Sequence, residues 1–441
     1  MKTLFDALQQ YNDSLLVDSD GTAYTYSQFT DLISKYEIAF PAIDNSTQKD
    51  VVLILPSFSP VHTLALIIAC FLTKRLAIIV PPTTEAEFAQ IENNYHYTHI
   101  AQHKESGDVI ERAYTKTDYN YPHNVNFILF TSGTQGRIKG VMLTKDNLFT
   151  NIKAGVEHFY VKERSSVVCI LPIYHAFGLN VGTLALMYSG CNIYFCNQKN
   201  YFNRVKAISP KYFFLTPEII KTHKKMHELT DFSNSWGNNP KFVFCGGNFV
   251  KPELREYVES CNIKLFCSYG LTEASPSVSA ENFSFIKSGS VGKIIAGVSV
   301  KIVDKEIVIS GKNVALGYFE EWIKDKSVFN GNIKTGDLGY IDSDGFLFLT
   351  GRKKNLIIFD DGQKYQAEYI EELISKELKN IQVIAKMDKD ALNLIIEFYG
   401  EYGCEDVRNI LSKFISPYHV KAKITKRDCS FTYTNTGKIK R

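Results

Sequence analysis

Short apolar runs alternate with longer amphipathic or buried segments through the first part of the chain. Residues 51–55 have the pattern of a buried strand, residues 62–72 that of a buried helix, and residues 76–80 that of the next strand. Further strands are predicted at residues 127–130, 167–171, 212–215, 242–244 and 265–268, and helices at residues 85–92, 144–159 and 179–188. This alternation is typical of wound α/β sheets.

The pattern changes after Gly289, where short β runs are separated by turns rich in Gly, Asn and Asp. These runs are residues 298–303, 306–310, 338–341 and 346–349. From Arg352 the chain becomes basic, and a helix, two strands and a helix are predicted at residues 367–378, 383–385, 392–398 and 405–414. We therefore predict a large N-terminal domain over residues 1–351, with a β-rich subdomain from about residue 290, and a small α+β C-terminal domain over residues 352–441.

Composition narrows the classes of function. The chain has 441 residues, of which 45% are hydrophobic and 22% charged, with a net charge of +3. So small a charge gives no support to a nucleic-acid partner. Lys74 and Arg75 interrupt the most apolar stretch, so we expect no transmembrane segment. Nine cysteines without a C-x-x-C pair argue against a zinc cluster or a disulfide scaffold and favour a cytoplasmic protein.

Residues 127–143 carry the first candidate chemistry. After the apolar strand come Thr131, Ser132, Gly133, Thr134, Gln135 and Gly136, followed by Lys139 and Gly140. Glycines allow a close approach of the backbone to a ligand, while N–H groups, hydroxyls and a lysine suit an anion. The spacing is not that of a Walker P-loop. The stretch therefore predicts a phosphate-binding loop, although a surface turn has the same composition.

Two more glycine-bearing loops follow apolar strands. Gly246 and Gly247 follow residues 242–244, and Tyr269, Gly270, Leu271, Thr272 and Glu273 follow residues 265–268. Ligands of open α/β sheets gather where strands end. We therefore expect the three loops to surround one site.

Five strings in order resemble the adenylate-forming superfamily of acyl- and aryl-CoA synthetases, adenylation domains and luciferases. They are the loop at residues 131–139, Tyr269-Gly270-Leu271-Thr272-Glu273, Thr335-Gly336-Asp337, Gly351-Arg352 and Thr436-Gly437-Lys438. The resemblance extends over nearly the whole chain. It implies that a carboxylate attacks the α-phosphorus of ATP, so that acyl-AMP forms and pyrophosphate leaves.

The same resemblance implies a role for each residue. Thr131, Ser132, Gly133, Thr134, Gln135, Gly136 and Lys139 would cover the β- and γ-phosphates. Tyr269 would stack on adenine beside Gly246 and Gly247, and Asp337 with Arg352 would hold the ribose. Thr272 would donate to the α-phosphate, Glu273 would hold Mg²⁺, and Lys438 would bridge the attacking carboxylate and the α-phosphate.

The resemblance also implies domain alternation. Lys354 matches the hinge about which the small domain rotates, and Gly362 matches a loop that enters the site in the second pose. This chain departs from the family at Gln135, where Thr or Ser is usual, and at Ile138, where Pro is usual. It is short for the family and ends three residues after Lys438, so any carrier is expected to be a separate protein.

The segment Tyr174-His175-Ala176-Phe177-Gly178, together with Gly270, resembles the acyl pocket. No Asp occurs between Ser166 and Asn203 to pair with an α-ammonium group, and a buried unpaired ammonium is costly. A fatty or aryl acid is therefore favoured over an amino acid. His175 and Phe177 suit an apolar or aromatic group, but Gly178 and Gly182 could equally open a longer channel.

The predicted function is that of an AMP-forming acid–thiol ligase, which requires ATP and Mg²⁺. The acyl group would pass from acyl-AMP to the thiol of CoA or to the phosphopantetheine of a carrier protein. Two alternatives stay open. One is a non-catalytic nucleotide-binding protein that retains the fold, and the other is an adenylating enzyme with a non-thiol acceptor.

Overall fold

The computed structural model describes residues 4–40, 50–113, 120–132, 138–228, 235–358, 364–387, 394–414 and 423–431. The chain divides into two compact units. The first unit comprises Met1–Val300 and Ile309–Ile333, and the second comprises Lys301–Val308 and Lys334–Arg441.

Helices are numbered in chain order through both units. They are α1 (Leu4–Gln10), α2 (Tyr26–Ala39), α3 (Pro60–Leu72), α4 (Glu85–Asn94), α5 (Lys145–Phe159), α6 (Ala185–Tyr188), α7 (Tyr201–Ile208), α8 (Pro217–Glu228), α9 (Pro252–Ser260), α10 (Phe319–Asp325), α11 (Ala367–Glu377) and α12 (Cys404–Phe414). Capping boxes at Thr25, Thr84 and Thr144 begin three of them, because each threonine hydroxyl accepts from the backbone N–H three residues on.

Strands are numbered in the same way, and two large sheets form the first unit. In spatial order the nine-stranded sheet contains β15 (Lys293–Ile294), β14 (Ser277–Ala280), β13 (Lys264–Gly270), β12 (Phe242–Cys245), β11 (Tyr212–Leu215), β9 (Ser166–Cys169), β10 (Asn192–Phe195), β1 (Leu15–Val17) and β2 (Ala23–Thr25). The seven-stranded sheet contains β18 (Gly317–Tyr318), β8 (Ile138–Leu143), β7 (Phe127–Ser132), β4 (Leu76–Ile79), β3 (Val51–Ile54), β5 (His99–Lys104) and β6 (Gly107–Arg112). The central strands of both sheets are parallel.

Alternate residues of one strand enter different cores, as the two-residue period of a strand requires. In β3, Val52 and Ile54 pack into the core that both sheets share with α2, α3 and α5. Val51 and Leu53 pack into a second core on the opposite face, which includes Phe319. A third core lies on the far face of the nine-stranded sheet, against α7, α8 and α9. Burial on both faces explains why these strands are continuous apolar runs.

The second unit contains smaller sheets. A four-stranded sheet has the order β16 (Val298–Val303), β17 (Glu306–Gly311), β19 (Asn332–Ile341) and β20 (Leu347–Arg352), with some strand ends extending beyond the unit boundary. It is followed by a β21 (Leu356–Ile358)–β22 (Lys364–Gln366) pair and by a three-stranded sheet of β23 (Gln382–Met387), β24 (Leu394–Tyr399) and β25 (Lys423–Lys426). α11 and α12 pack with these last strands around one small core.

The mixed α/β fold that the sequence predicted is confirmed, and most predicted elements are present within a few residues. The helix predicted at residues 179–188 is correct in place but is a π-helix, Phe177–Leu184, followed by α6. Within the described residues, every helix is too short or too polar to cross a bilayer.

Two boundaries differ from expectation. Thr131, Ser132 and Lys139 were expected in a loop, but they lie in β7 and β8, because these strands pair as an antiparallel hairpin as far as Ser132 and Ile138. The domain limit at residue 351 stays a prediction. In the structure residues 334–351 group with the C-terminal part, since β19 pairs with β20 and the backbone N–H of Arg352 donates to Gln366.

Candidate active site

Lys139 projects from the β7–β8 hairpin toward two side chains that follow it by about 180 positions in the chain. Its Nζ lies 2.9 Å from Glu321 Oε1 and 4.3 Å from the centre of the Tyr318 ring. Tyr318 reaches this position because β18 pairs with β8, with Tyr318 opposite Val141. The four central loop residues, Gly133, Thr134, Gln135 and Gly136, lie outside the described residues.

Tyr318 connects Lys139 to Glu273. The Tyr318 hydroxyl donates to Glu273 Oε1 at 2.5 Å, while the aromatic ring faces the lysine ammonium. The Glu273 backbone carbonyl also accepts from the Ala315 N–H at 2.8 Å. One short segment therefore joins the two residues that the sequence assigned to the phosphates and to Mg²⁺.

The turn that carries Thr272 and Glu273 is fixed by buried asparagines. Asn151 Nδ2 donates to the Ser277 carbonyl at 2.8 Å, and its Oδ1 accepts from the Ser277 N–H at 3.2 Å. Asn313 Nδ2 donates to the Ala274 carbonyl at 3.0 Å. Asn180 Nδ2 donates to the Ser275 carbonyl. These bonds satisfy the polar backbone of a turn that lies inside the protein.

A half-buried carboxylate contacts the hairpin. Glu320 accepts from the Tyr95 hydroxyl and from the Gly140 N–H, at 3.1 Å for the latter. Burial raises the pKa of Glu320 above its usual value. A side chain at residue 140 would meet the Tyr95 hydroxyl oxygen at 2.2 Å, so glycine is required here for packing.

The predicted adenine-side residues lie at neighbouring strand ends. β12 and β13 are parallel, and they place Gly246 and Gly247 beside Tyr269, which is buried. A Cβ on Gly246 would meet Ser268 Oγ at 2.6 Å and the Phe177 ring at 3.4 Å. The structure thus brings the predicted pocket residue Phe177 next to the predicted nucleotide residue Gly246.

The other predicted acyl-pocket residues are closely packed. Burial lowers the pKa of His175 to about 4, and its Nε2 has no hydrogen-bond partner in the described structure. Cβ atoms on Gly178 and Gly270 would lie 2.1 Å from the carbonyl oxygens of Pro172 and Pro276, respectively. Both glycines therefore have a packing reason to be glycine, and their lining of an acyl pocket stays a prediction.

Asp337 and Arg352 form the predicted ribose pair within the second unit. They are direct cross-strand partners in β19 and β20. Arg352 Nε lies 2.5 Å from Asp337 Oδ1, and Nη2 donates to Oδ2 at 3.4 Å, so the contact is bidentate. The carboxylate is buried, whereas 44% of the Arg352 side chain is exposed.

A cavity of about 300 Å³ adjoins this pair. It is lined by Thr335, Gly336, Arg352, Lys353 and Lys354. Lys353 Nζ lies 2.9 Å from Glu306 Oε2, and this hydrogen bond lowers the pKa of Glu306 below its usual value. Gly336 has a positive φ of 72° and donates to Glu306 at 3.0 Å. The predicted hinge residue Lys354 is exposed, in a 3₁₀ turn.

Besides the four loop residues, Lys438 and Gly362 also lie outside the described residues. Conversely, the sequence interpretation missed Tyr318, Glu320 and Tyr95 at the hairpin. It also missed Asn151, Asn180 and Asn313 around the turn. Of these residues, only the asparagines could have been suspected from the sequence, because a buried amide needs polar partners. That all three bond the same turn is visible only in the fold.

Comparison with known proteins agrees with this architecture. Residues 77–319 match the family model described as AMP-binding enzyme. ATP-bound MatB from Rhodopseudomonas palustris superposes with a TM-score of 0.81 at 18% identity, covering 98% of this chain and 97% of that one. MenE, the o-succinylbenzoate-CoA synthetase of Bacillus subtilis, in complex with AMP gives 0.79 at 19% identity, covering 99% and 96%.

Two curated relatives are similar in sequence. The 2-succinylbenzoate–CoA ligase of Listeria monocytogenes serotype 4b (strain F2365) is 28% identical over 71% of this chain and 68% of its own length. The 4-coumarate–CoA ligase CCL1 of Humulus lupulus is 28% identical over 68% of this chain and 60% of its own length. With more than half of its residues matched by the family model, the chain belongs to the AMP-binding enzyme family, the adenylate-forming superfamily that the ordered motifs predicted.

Proposed function

We propose that this enzyme uses ATP to convert an aryl carboxylic acid to acyl-AMP and then transfers the acyl group to the thiol of CoA. The observation that carries the proposal is the Lys139–Tyr318–Glu273 assembly. It holds a cation and a carboxylate at the hairpin and turn where the ordered motifs expect the triphosphate and its metal ion.

Lys139 and Thr272 would contact the phosphates of ATP. Lys139 offers an ammonium group to the β- and γ-phosphates, and Thr272 offers a hydroxyl to the α-phosphate. Fixed donors of this kind reduce the repulsion between two reacting anions and stabilise the charge that develops on the phosphoryl oxygens. ATP must compete with Glu321 for Lys139, since these side chains are paired at 2.9 Å.

Glu273 fits the predicted Mg²⁺ ligand, because Mg²⁺ prefers carboxylate oxygens. Bound Mg²⁺ would neutralise phosphate charge. The Tyr318 hydroxyl, 2.5 Å from Oε1, orients the carboxylate. MenE from Bacillus subtilis, in its structure with ATP and a magnesium ion, has the same fold as this chain, with a TM-score of 0.77.

The nucleoside would be bound through its ribose and its adenine. The Asp337 carboxylate is a hydrogen-bond acceptor suited to ribose hydroxyls, and bidentate pairing with Arg352 fixes its orientation. Tyr269 would stack on adenine. Lys438 would carry the positive charge between the acid and the α-phosphate, and rotation about Lys354 would then admit the thiol.

Phe177 and His175 favour an acid that lacks an α-ammonium group. The Phe177 ring packs against Gly246, and a histidine with a pKa of about 4 is neutral at neutral pH. Neither residue supplies the counter-charge that an α-ammonium group requires. The two curated relatives are named for aryl acids, 2-succinylbenzoate and 4-coumarate, which supports an aryl substrate. A carrier-protein acceptor and a cytoplasmic location stay predictions.

Acid-dependent exchange of labelled pyrophosphate into ATP tests the activation step. We expect exchange with at least one aryl acid from a panel of aryl, fatty, short-chain and amino acids. Product analysis with CoA, with a holo carrier protein and with neither then identifies the acceptor. A folded protein that binds ATP but catalyses no exchange with any acid would contradict the proposal and support the non-catalytic alternative.

Lys438→Ala tests most directly which residue stabilises the adenylation step. We expect exchange to fall by about three orders of magnitude while ATP binding changes little, because the lost charge acts mainly on the transition state. Lys440→Ala is the matched control, two residues away, and is expected to retain exchange. Equal activity of the two variants would remove Lys438 from the mechanism.

The non-catalytic alternative has specific observations in its favour. Lys139 is already paired with Glu321, and the loop departs from the family at Gln135 and Ile138. Glu321→Gln distinguishes the two functions. A catalyst should bind ATP more tightly and retain exchange, whereas a non-catalytic protein would gain affinity and still show no exchange.

A further inference from the structure

A cluster of two histidines and one aspartate lies at the edge of the seven-stranded sheet farthest from the β7–β8 hairpin. His62 is in the first turn of α3, His103 is in β5, and Asp108 is in β6. One donor atom from each lies within 4.8 Å of the other two. In the sheet order, β3, β4 and β7 separate β5 from β8, a distance of about 19 Å at the usual strand spacing. The cluster is therefore distinct from the candidate active site.

The donor atoms converge on one oxygen. His103 Nδ1 lies 2.6 Å from Asp108 Oδ1, and His62 Nδ1 lies 3.5 Å from the same atom. The Tyr36 hydroxyl lies 2.5 Å from both Asp108 Oδ1 and His62 Nδ1. Two imidazole nitrogens, a carboxylate oxygen and a phenol oxygen thus face a common point.

Tyr24 and Lys35 contact the second polar atom of His62 and of Asp108, respectively. The Tyr24 hydroxyl lies 3.0 Å from His62 Nε2, which leaves Nδ1 directed at the cluster. Lys35 Nζ lies 2.6 Å from Asp108 Oδ2, which leaves Oδ1 directed at the same point. Metal-binding histidines and carboxylates commonly have such partners on their second polar atom, because these partners fix the orientation of the ligand.

We propose that His62, His103 and Asp108 bind one divalent transition-metal ion of the zinc class. Imidazole nitrogens with a carboxylate suit zinc, cobalt or nickel better than magnesium or calcium, which prefer oxygen ligands alone. Side-chain exposures of 16% at His103 and 18% at Asp108 leave a path for the ion.

Binding requires a small rearrangement. The two imidazole rings are stacked with centroids 3.6 Å apart and planes 19° apart. A bound ion lies about 2.0–2.1 Å from each nitrogen and near the plane of each ring. Because the two rings are stacked, the angle between their planes must increase before both can bind it. His103 is the ring that can move, since it lies on an edge hairpin and contacts the exposed Phe58, whereas His62 is held in a buried helix.

The bound ion would link elements that are distant in the chain. α3 supplies His62, and the β5–β6 hairpin supplies His103 and Asp108. Because ligand binding to the folded state alone stabilises it, the ion should raise the unfolding temperature. The same side chains also form a complete hydrogen-bond network without an ion, and the experiment must separate these two interpretations.

The test uses the full chain, freed of metal by chelation and kept reduced. Co²⁺ is titrated and followed by its visible absorption, and Zn²⁺ is measured by equilibrium dialysis. We expect one equivalent of each ion, with a Co²⁺ spectrum of nitrogen and oxygen ligation that lacks thiolate charge-transfer bands. His103→Gln and Asp108→Asn should each weaken binding at least tenfold.

His227→Gln is the matched control, because His227 Nδ1 lies 3.7 Å from Cys261 Sγ and could hold an adventitious ion. This variant should still bind one equivalent of each ion and give the same Co²⁺ spectrum. Thermal unfolding with chelator confirms that His103→Gln and Asp108→Asn remain folded, and Zn²⁺ should raise the unfolding temperature of the wild type alone among these three. Absence of stoichiometric binding, or binding that both cluster variants retain, would overturn the proposal in favour of the hydrogen-bond network.

Discussion

A single tyrosine shows how much of the site depends on side chains outside the recognised motifs. Tyr318 presents its ring to Lys139 and its hydroxyl to Glu273, so one residue positions both the predicted phosphate-binding cation and the predicted Mg²⁺ ligand. The sequence motifs identified the two charged residues. They did not identify the tyrosine between them, because nothing local in residues 315–318 reveals which strand they will pair with.

Tyr318→Phe tests this position. It removes the bond to Glu273 but keeps the ring over Lys139. A hydrogen bond to a charged group contributes about 1.5–3 kcal/mol, so we expect pyrophosphate exchange to fall about tenfold or more. The loss should be partly recovered at high Mg²⁺, since a less ordered Glu273 weakens metal binding. Tyr340→Phe, an exposed tyrosine in the second unit, is the control. An unchanged Mg²⁺ requirement would argue against the positioning role.

Glu320 predicts a pH dependence of stability. Burial raises its pKa above the ordinary glutamate value of 4.5, so the folded state holds a proton that the unfolded state has already lost. Between these two pKa values the unfolded state therefore binds fewer protons, and the stability contributed by this group falls as pH rises through the interval. Below 4.5 the two states are equally protonated and the penalty vanishes.

We therefore expect Glu320→Gln to gain stability relative to the wild type as pH is raised above 4.5. Urea unfolding at a series of pH values measures the difference between the two proteins. Glu321→Gln is the control, because that neighbouring side chain is 46% exposed. A wild-type-to-variant difference that is constant with pH would show that Glu320 does not titrate differently in the folded state.

At the scale of elements, the turn at residues 272–277 is a buried loop that its own sequence cannot stabilise. α5, the π-helix and residue 313 each supply an asparagine to its backbone. The sequence interpretation predicted the preceding strand and the turn correctly. It could not assign the supports, because they lie about 40 to 125 positions away in the chain and are recognised only by their common partner.

Asn151→Ala should loosen this turn. It leaves the buried Ser277 carbonyl and N–H without their side-chain partner, and we expect a loss of about 2–3 kcal/mol of stability in urea unfolding. Exchange activity should fall as well, since Glu273 lies in the same turn. Asn248→Ala is the control, because Asn248 bonds the Glu218 side chain at the exposed surface. Full activity of Asn151→Ala would separate the turn's stability from catalysis.

The elements that the sequence predicted and those that it missed differ in how they are stabilised. The buried strands were predicted because their apolar runs contain the necessary information locally. The two-residue strand β18 and the half-exposed hairpin β5–β6 were missed, because neither has a distinctive apolar pattern and each is specified by its partner strand. The strand at residues 127–130 was predicted, but its extension to Ser132 and the partner strand β8 were taken for a loop, because glycines and hydroxyls obscure the strand pattern.

At the scale of the whole molecule, the chain leaves the first unit at residue 300 and returns to it at residues 309–333. The sequence predicted a change of pattern near residue 290, but not this return. Pattern analysis assigns each segment to its neighbours in the chain, whereas the returning segment is held by β8 and by the core around Phe319.

Truncated proteins test this organisation. A fragment of residues 1–333 should resist limited proteolysis and unfold cooperatively, because it contains the entire first unit. A fragment of residues 1–300 should be cleaved at least tenfold faster, since it lacks β18 and the Phe319 side chain that fills the core beside Tyr95. Far-ultraviolet circular dichroism with each digestion checks the content of structure. Equal resistance would show that the returning segment is dispensable for folding.

The late position of β18 also has a consequence for synthesis on the ribosome. β8 is an edge strand until Gly317–Tyr318 joins it and the Leu316 N–H donates to Met142. At about 5–20 residues per second, the nascent chain waits roughly 10–35 seconds between these two strands. Throughout that interval an apolar edge is open to pairing with other polypeptides. The segment that positions Lys139 and Glu273 in the finished enzyme therefore also ends a period of vulnerability to aggregation, during which chaperones would have most to protect.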